Sequence, residues 1–271
     1  MDNRPIGVFD SGLGGLTAVK KLMEVLPNEN IVYFGDTGRV PYGSRSKETI
    51  IKYTRQDIAF LRSFDIKAVL AACGTVSTTA LDTVAPECPV PVFGVAEAAA
   101  ARAAEVTKNK RIGLIGTSAS IKSRKYEEII KSKLPDAEVY GKACPLFVPL
   151  VENGRIKRGD KVIELVAAEY LQELKDAGVD TLILGCTHYP LLKDIIGDFM
   201  GDGVNLVDPG AEAARFLAAS LRQSGELNEG KSEGEHSYYV SDSADSFSAL
   251  ASLFLETDVT DGVTQVSLDN F

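Results

Sequence analysis

Ile66-Lys67-Ala68-Val69-Leu70-Ala71-Ala72-Cys73-Gly74-Thr75 and Val179-Asp180-Thr181-Leu182-Ile183-Leu184-Gly185-Cys186-Thr187 are the two stretches that decide the fold. Each is a short aliphatic run that stops at a cysteine with a threonine close behind. Runs this short, bounded by Gly, Asp or Thr, read as buried strands. A second pair of runs stands upstream of them. Pro5-Ile6-Gly7-Val8-Phe9-Asp10-Ser11 echoes Arg111-Ile112-Gly113-Leu114-Ile115-Gly116-Thr117. Together they form a weak internal repeat and predict two similar α/β units. The competing reading is two ordinary α/β units of no common origin, since strand composition alone produces some of the matches.

Working outward, further apolar runs at 31–34, 92–95, 148–151 and 204–207 also read as strands, with the quoted pieces at 6–9, 68–72, 112–115 and 182–184. Segments 17–26, 48–64, 96–107, 122–133, 159–177 and 211–222 place apolar residues at helical spacing. Strand–helix alternation implies mainly parallel sheets covered by helices. Residues 223–237 are polar and Gly-rich and read as a loop, followed by a strand at 238–240, a helix at 245–254 and a strand at 263–267.

The net charge of −9 makes a nucleic-acid groove or an anionic membrane an unsuitable partner. No apolar stretch approaches a bilayer span, and the N-terminus shows no signal core, so a cytosolic protein is expected. The four cysteines, Cys73, Cys88, Cys144 and Cys186, form no C-x-x-C pair and should be free thiols. Only His188 and His236 are present, which rules out a histidine-rich metal site.

If the repeat is real, Cys73 and Cys186 each lie just past the carboxyl end of a strand, where open α/β sheets bind ligands. Two such units facing each other present two thiols to one cleft. Inverting a stereocentre by proton transfer needs one acid–base group on each face. A thiol suits this role if its pKa is brought toward the working pH, and a helix N-terminus is expected to lower it. Thr75 and Thr187 can hold a substrate carboxylate. In Cys186-Thr187-His188-Tyr189-Pro190, the histidine either modulates the thiol or serves as a structural side chain. Asp10-Ser11-Gly12-Leu13-Gly14-Gly15 matches neither a P-loop nor a dinucleotide fingerprint. Its glycines read as permitting a tight turn and close backbone approach. Asp10 either orients a thiol, binds a substrate ammonium or caps a helix. Cys88 and Cys144 read as small buried hydrophobes.

At these residues the chain resembles the glutamate racemase family, bacterial enzymes that make D-glutamate for the cell wall. The resemblance runs end to end. It is carried by Gly7-Val8-Phe9-Asp10-Ser11-Gly12-Leu13-Gly14-Gly15, Phe34-Gly35-Asp36-Thr37 with Val40-Pro41-Tyr42-Gly43, Ala72-Cys73, Pro149-Leu150-Val151-Glu152-Asn153-Gly154 and Gly185-Cys186-Thr187-His188-Tyr189-Pro190. It implies two α/β domains related by a pseudo-twofold, 1–97 with 208–271 and 98–207, with the active site between them. It also implies a reaction on L- and D-glutamate without pyridoxal phosphate, metal or nucleotide. Cys73 and Cys186 fall at the family's paired thiols. Asp10, Glu152 and His188 match its assisting residues. Asp10, Ser11, Pro41, Tyr42, Gly43, Gly74, Thr75, Thr117, Thr187 and His188 fall at its substrate contacts. A homodimer is common in the family.

One departure stands out. The family pattern around the first thiol is Ala-Cys-Asn-Thr-Ala, whereas this chain has Ala72-Cys73-Gly74-Thr75-Val76. Loss of the Asn side chain removes a hydrogen bond to a charged group, worth about 1.5–3 kcal/mol. It keeps open a racemase of aspartate or another amino acid, and a non-catalytic amino-acid-binding relative.

Overall fold

The computed structural model describes residues 2–255, 262–269 and 271. The chain begins with β1 (Ile6–Asp10), α1 (Leu16–Val25), β2 (Ile31–Gly35), α2 (Lys47–Leu61), β3 (Ala68–Ala71), α3 (Gly74–Thr79), α4 (Leu81–Val84) and β4 (Val92–Gly94). Helix α5 (Val95–Val106) leads to β5 (Arg111–Gly116), α6 (Ser118–Ser123), α7 (Lys125–Lys133), β6 (Glu138–Ala143), α8 (Phe147–Glu152), α9 (Lys161–Asp176), β7 (Thr181–Gly185), α10 (Lys193–Met200) and β8 (Asn205–Val207). Helix α11 (Pro209–Ser224) returns the chain to β9 (His236–Val240), α12 (Ala244–Leu255) and β10 (Val263–Gln265).

The strands form two sheets, ordered β10-β9-β2-β1-β3-β4 and β6-β5-β7-β8. Every neighbouring pair is parallel, as the strand–helix alternation required. The quoted repeat occupies equivalent places. β3 lies beside β1 in the first sheet, and β7 lies beside β5 in the second.

Burial follows the two-residue period of a strand covered on both faces. Ile6 and Val8 of β1, Ile31 and Tyr33 of β2, and Ala68 and Leu70 of β3 enter one apolar cluster, which also receives Leu182 and Leu184 of β7. Phe9, Val32, Phe34, Val69 and Ala71 turn to the opposite face of the first sheet, against Ile58, Phe60 and Leu61 of α2. Ile112, Leu114 and Ile183 do the same in the second sheet, against the alanines of α5 and against Tyr126 and Ile130 of α7.

Three expectations are corrected. The run at 148–151 is not a strand but most of α8. Pro149 lacks the N–H that a ladder needs, but it is tolerated in the first turn of a helix, where that N–H has no partner anyway. Phe147 and Val151, four residues apart, are the buried pair on one face of that helix. The fourth strand of the second sheet is instead β6, which was unread because its residues are exposed or half-buried and show no clean apolar alternation. The helix expected over 122–133 is broken at Arg124, whose φ of 57° places it in the left-handed region. Smaller differences are the extension of β9 back to His236 and the short helices α3, α4 and α10. Among the described residues, no helix is long and apolar enough to cross a membrane.

Candidate active site

Both cysteine-ended strands deliver their thiols to one cleft of about 450 Å³ between the two sheets. Cys73 follows β3 and is the N-cap residue of α3; Cys186 follows β7 directly. Both are buried free thiols. From the first sheet, the cleft is lined by Ser11, Pro41, Tyr42, Gly43, Cys73, Gly74 and Thr75. From the second it is lined by Thr117, Glu152, Cys186, Thr187 and His188. Of the residues that the family resemblance places in the site, only Asp10 is not at this surface. It lies behind it, 1 % exposed, with Oδ2 accepting the Gly12 N–H at 3.1 Å. It does not cap α1, whose N-cap residue is Gly15.

The two thiols have different surroundings. The Cys73 thiol donates toward Ser11 Oγ at 3.6 Å. Burial, and after it the Asp10 carboxylate, push its pKa up to about 12, against the opposing pull of the Val76 N–H and the Ser11 hydroxyl. The expected lowering by a helix N-terminus is therefore present at Cys73 but outweighed by desolvation. Asp10 is itself raised by burial, with His188 and the amides of Gly15, Gly12 and Ser11 pulling the other way. A protonated Cys73 is the consequence at neutral pH.

Cys186 instead faces a histidine. His188 Nδ1 lies 3.9 Å from Cys186 Sγ, and Nε2 lies 2.9 Å from Glu152 Oε1. Burial alone would lower the imidazole pKa. The hydrogen bonds to Cys186 and Glu152 and their charges more than reverse this and raise it to about 10. His188 is thus an imidazolium at neutral pH, donating to Glu152 on one side and to the sulfur on the other. The positive charge of the ring thus stands directly beside the Cys186 sulfur. Glu152 reaches His188 as the last residue of α8, one position beyond the run read as a strand.

Gly14 explains the close approach expected of the glycine-rich turn. A Cβ there would collide with Thr187 Oγ1 and would sit 2.5 Å from His188 Nδ1. Thr17, at the start of α1, places its hydroxyl 2.9 Å from the Thr187 carbonyl. Across the cleft mouth, Thr75 Oγ1 and Thr117 Oγ1 are 2.9 Å apart, and Thr117 also caps α6 by accepting from the Ser120 N–H. The hydroxyls of Ser11, Thr75, Thr117 and Thr187 line the cleft and form a polar wall suited to carboxylates.

Tyr42 holds the remaining wall. Its phenol hydrogen-bonds Asp36 and lies 3.0 Å from Asp57 Oδ2, while Arg39 bridges both acids at 2.6 and 2.8 Å. This buried support was not assigned from the sequence. The even spacing of Asp36, Arg39 and Tyr42 was its only local signal. Cys144 was read as a buried hydrophobe. It is buried, and burial pushes its pKa up to about 12, but it also lines the cleft. Cys88 is half-buried against the apolar cluster beyond the first sheet. Among the described residues, no group of three or more His, Cys, Asp or Glu side chains is arranged to hold a metal.

Position 74, where the sequence departs from the family pattern, has an unusual environment. A Cβ added to Gly74 would sit 2.5 Å from the carbonyl oxygen of Gly185.

Known proteins resemble this chain along its length. Residues 14–217 match the family model described as Asp/Glu/Hydantoin racemase. A glutamate racemase of Geobacter metallireducens is 47 % identical over 266 residues, covering 98 % of this chain and 97 % of the relative. The crystal structure of glutamate racemase from Francisella tularensis in complex with D-glutamate superposes with a TM-score of 0.91 at 41 % identity, covering 100 % of both chains. That of Thermus thermophilus, in complex with β-chloro-D-alanine, gives 0.89 at 42 % identity, again over 100 % of both.

Proposed function

The chain belongs to the Asp/Glu/hydantoin racemase family, within it to the glutamate racemases, and from that premise we propose that it interconverts L- and D-glutamate by proton transfer at Cα between Cys73 and Cys186. The observation that carries this reading is a pair of thiols, one from each sheet, lining a single cleft in unlike surroundings. A racemase working in one direction needs one base and one acid at the start. Cys186, with the His188 imidazolium beside its sulfur, is the base. Cys73, held protonated by burial and by Asp10, supplies the acid.

In the first half of the reaction, the Cys186 sulfur takes the Cα proton and the C–H electron pair remains on carbon. That charge spreads into the α-carboxylate, where the hydroxyls of Ser11, Thr75, Thr117 and Thr187 and neighbouring amides stabilise it. In the second half, Cys73 gives its proton to the opposite face of Cα and is left as thiolate. The reverse reaction starts from that state. Before another turnover in the same direction, the proton on Cys186 passes to solvent and Cys73 takes one up, while His188, its ring fixed by Glu152, stays beside the Cys186 sulfur. The two glutamate carboxylates bind in the polar walls on either side of the thiols. The D-glutamate so made serves the cell wall. Residues 1–97 with 208–271 and 98–207 are taken as the two units that close on the substrate.

The test is incubation of each glutamate enantiomer in heavy water with wild type, Cys73→Ser and Cys186→Ser. Wild type is expected to invert the substrate and incorporate deuterium at Cα; each variant is expected to lose inversion. Full racemisation by either variant would remove the two-thiol mechanism.

A further inference from the structure

Gly74 follows one thiol and Gly185 precedes the other, and their backbones touch. A Cβ on Gly74 would lie 2.5 Å from the Gly185 carbonyl oxygen, 3.4 Å from its carbonyl carbon and 3.9 Å from Cys186 Cα. The first of these is closer than real Cβ atoms come, and the obstacle is backbone, not a side chain able to swing away. Gly185 is itself closely packed against its neighbouring strand. A Cβ on it would sit 2.6 Å from the Ile115 carbonyl, and Gly185 is in register with Gly116 in the β5–β7 ladder. The space behind the contact is a void of only about 10 Å³, bordered by Gly74, Gly185, Cys186 and Thr187, with room for no more than one water. The same end of α3 is tied to the second sheet by the Thr75–Thr117 hydroxyl pair. A side chain at 74 must therefore force apart the two backbones, α3 with Cys73 at its cap and the end of β7 with Cys186.

We propose that Gly74 is a positioning residue of the two-thiol reaction: the absence of a side chain lets the backbone carrying Cys73 bear directly on the Gly185 carbonyl, and that contact sets the spacing of the two sulfurs across the cleft. The inference rests on the function proposed above. It also gives the departure from the usual Asn a structural meaning, since position 74 in this chain is used for contact between the two halves. Reaction between two fixed groups is steep in distance, and a misplacement of about 1 Å can cost about a hundredfold in rate. Spreading the thiols affects inversion more than proton removal. Cys186 still takes the Cα proton, exchanges it with solvent and returns a deuteron to the same face. Delivery from Cys73 to the opposite face is what suffers.

The experiment compares wild type, Gly74→Ala and Gly74→Asn in heavy water. Cα deuterium incorporation and inversion are followed separately for each glutamate enantiomer, and melting temperature is recorded for each variant. Inversion by Gly74→Ala is expected to fall about a hundredfold, with the ratio of exchange to inversion raised and KM little changed. Gly74→Asn, which carries the residue usual in the family, decides the matter if the alanine variant does not fold, and the same direction is expected of it. Wild-type inversion rates in a folded variant, or equal losses of exchange and inversion, would overturn the inference. Absence of inversion in wild type would instead sink the two-thiol reading on which it stands.

Discussion

Phe254 of α12 stands edge-on to the His188 ring, with ring centroids 5.6 Å apart and planes at 90°. The contact joins a helix of the first sheet's half to the histidine beside the second thiol. Phe254 is buried, so it shields one side of an imidazolium whose two nitrogens are already committed to Cys186 and Glu152. Perpendicular ring packing of this kind is favourable beyond the area it buries.

Phe254→Ala should destabilise the protein by about 3–5 kcal/mol, the usual range for removing a buried phenyl ring. Phe254→Leu keeps most of the volume and is the variant that reads function. Its kcat is expected to fall several-fold while KM is nearly preserved, because the ring orients His188 and is not part of the cleft lining. Steady-state kinetics in both directions check this; an unchanged kcat would remove the role.

Glu152→Gln keeps a hydrogen-bond acceptor for His188 but removes the charge that helps raise its pKa to about 10. The alkaline limb of the kcat/KM profile should move to lower pH, and activity at neutral pH should fall about a hundredfold, the low end for a general acid–base partner. Stability follows the same linkage. A folded-state pKa raised from 6.5 to about 10 gives a contribution that is fully present below pH 6.5 and is lost as pH rises through 10. The gap in melting temperature between wild type and Glu152→Gln should therefore narrow from pH 6.5 to pH 10. A constant gap across that window contradicts the imidazolium assignment.

How much of this was legible in the sequence depends on the range of the signal. The strands ending at Cys73 and Cys186 are continuous apolar runs between turn residues, and burial on both sheet faces makes such runs visible. The cleft residues on those strand ends were legible for the same reason. The 148–151 segment is ambiguous because an apolar run of that length fits either a strand or a buried helix, and Pro149, which cannot donate to a ladder, is the local feature that favours the helix. β6 was hidden because an edge strand in a parallel sheet need not alternate. Phe254, Cys144 and the Asp57 end of the Tyr42 support owe their place to tertiary packing between distant segments, which no local pattern encodes. The lowered thiol pKa expected from the helix start was wrong for Cys73, because burial depth is not readable from spacing.

Tyr42 is the wall residue whose support can be broken without touching a thiol. Its phenol serves two buried carboxylates, and burial, then the neighbouring Asp36 charge, push Asp57 well above the usual carboxylate range. Tyr42→Phe leaves those acids short of a donor, and a buried acceptor left unsatisfied costs about 1–3 kcal/mol. The adjoining Pro41 and Gly43 line the cleft, so KM for glutamate should rise along with the loss of stability. Urea denaturation and initial-rate kinetics on the same preparation test both halves. A rise in KM at unchanged stability would mean that the phenol acts on substrate and not through the acids.

Lys67 offers a control at the opposite ends of the strands. It lies just before β3, fully buried, with Nζ 2.6 Å from Glu29 Oε2, 2.7 Å from the Asp2 carbonyl and 2.8 Å from the Glu226 carbonyl. Glu29 in turn accepts the Asn228 N–H at 2.8 Å. The ammonium therefore fastens the N-terminal segment and the chain after α11 to the start of the first sheet. Removing one member of a buried ion pair strands the other charge, at a cost of about 3–5 kcal/mol. Lys67→Met should lose stability of that order, and adding Glu29→Gln should recover part of it, because the stranded carboxylate is then gone. Catalysis is expected to be unchanged in the folded fraction, since the cleft lies at the carboxyl ends of β3 and β7. A urea titration of the single and double variants, paired with kcat/KM below the unfolding transition, separates the two effects. A Lys67→Met protein as stable as wild type, or one folded but slower, would show that this pair does something other than hold the base of the sheet.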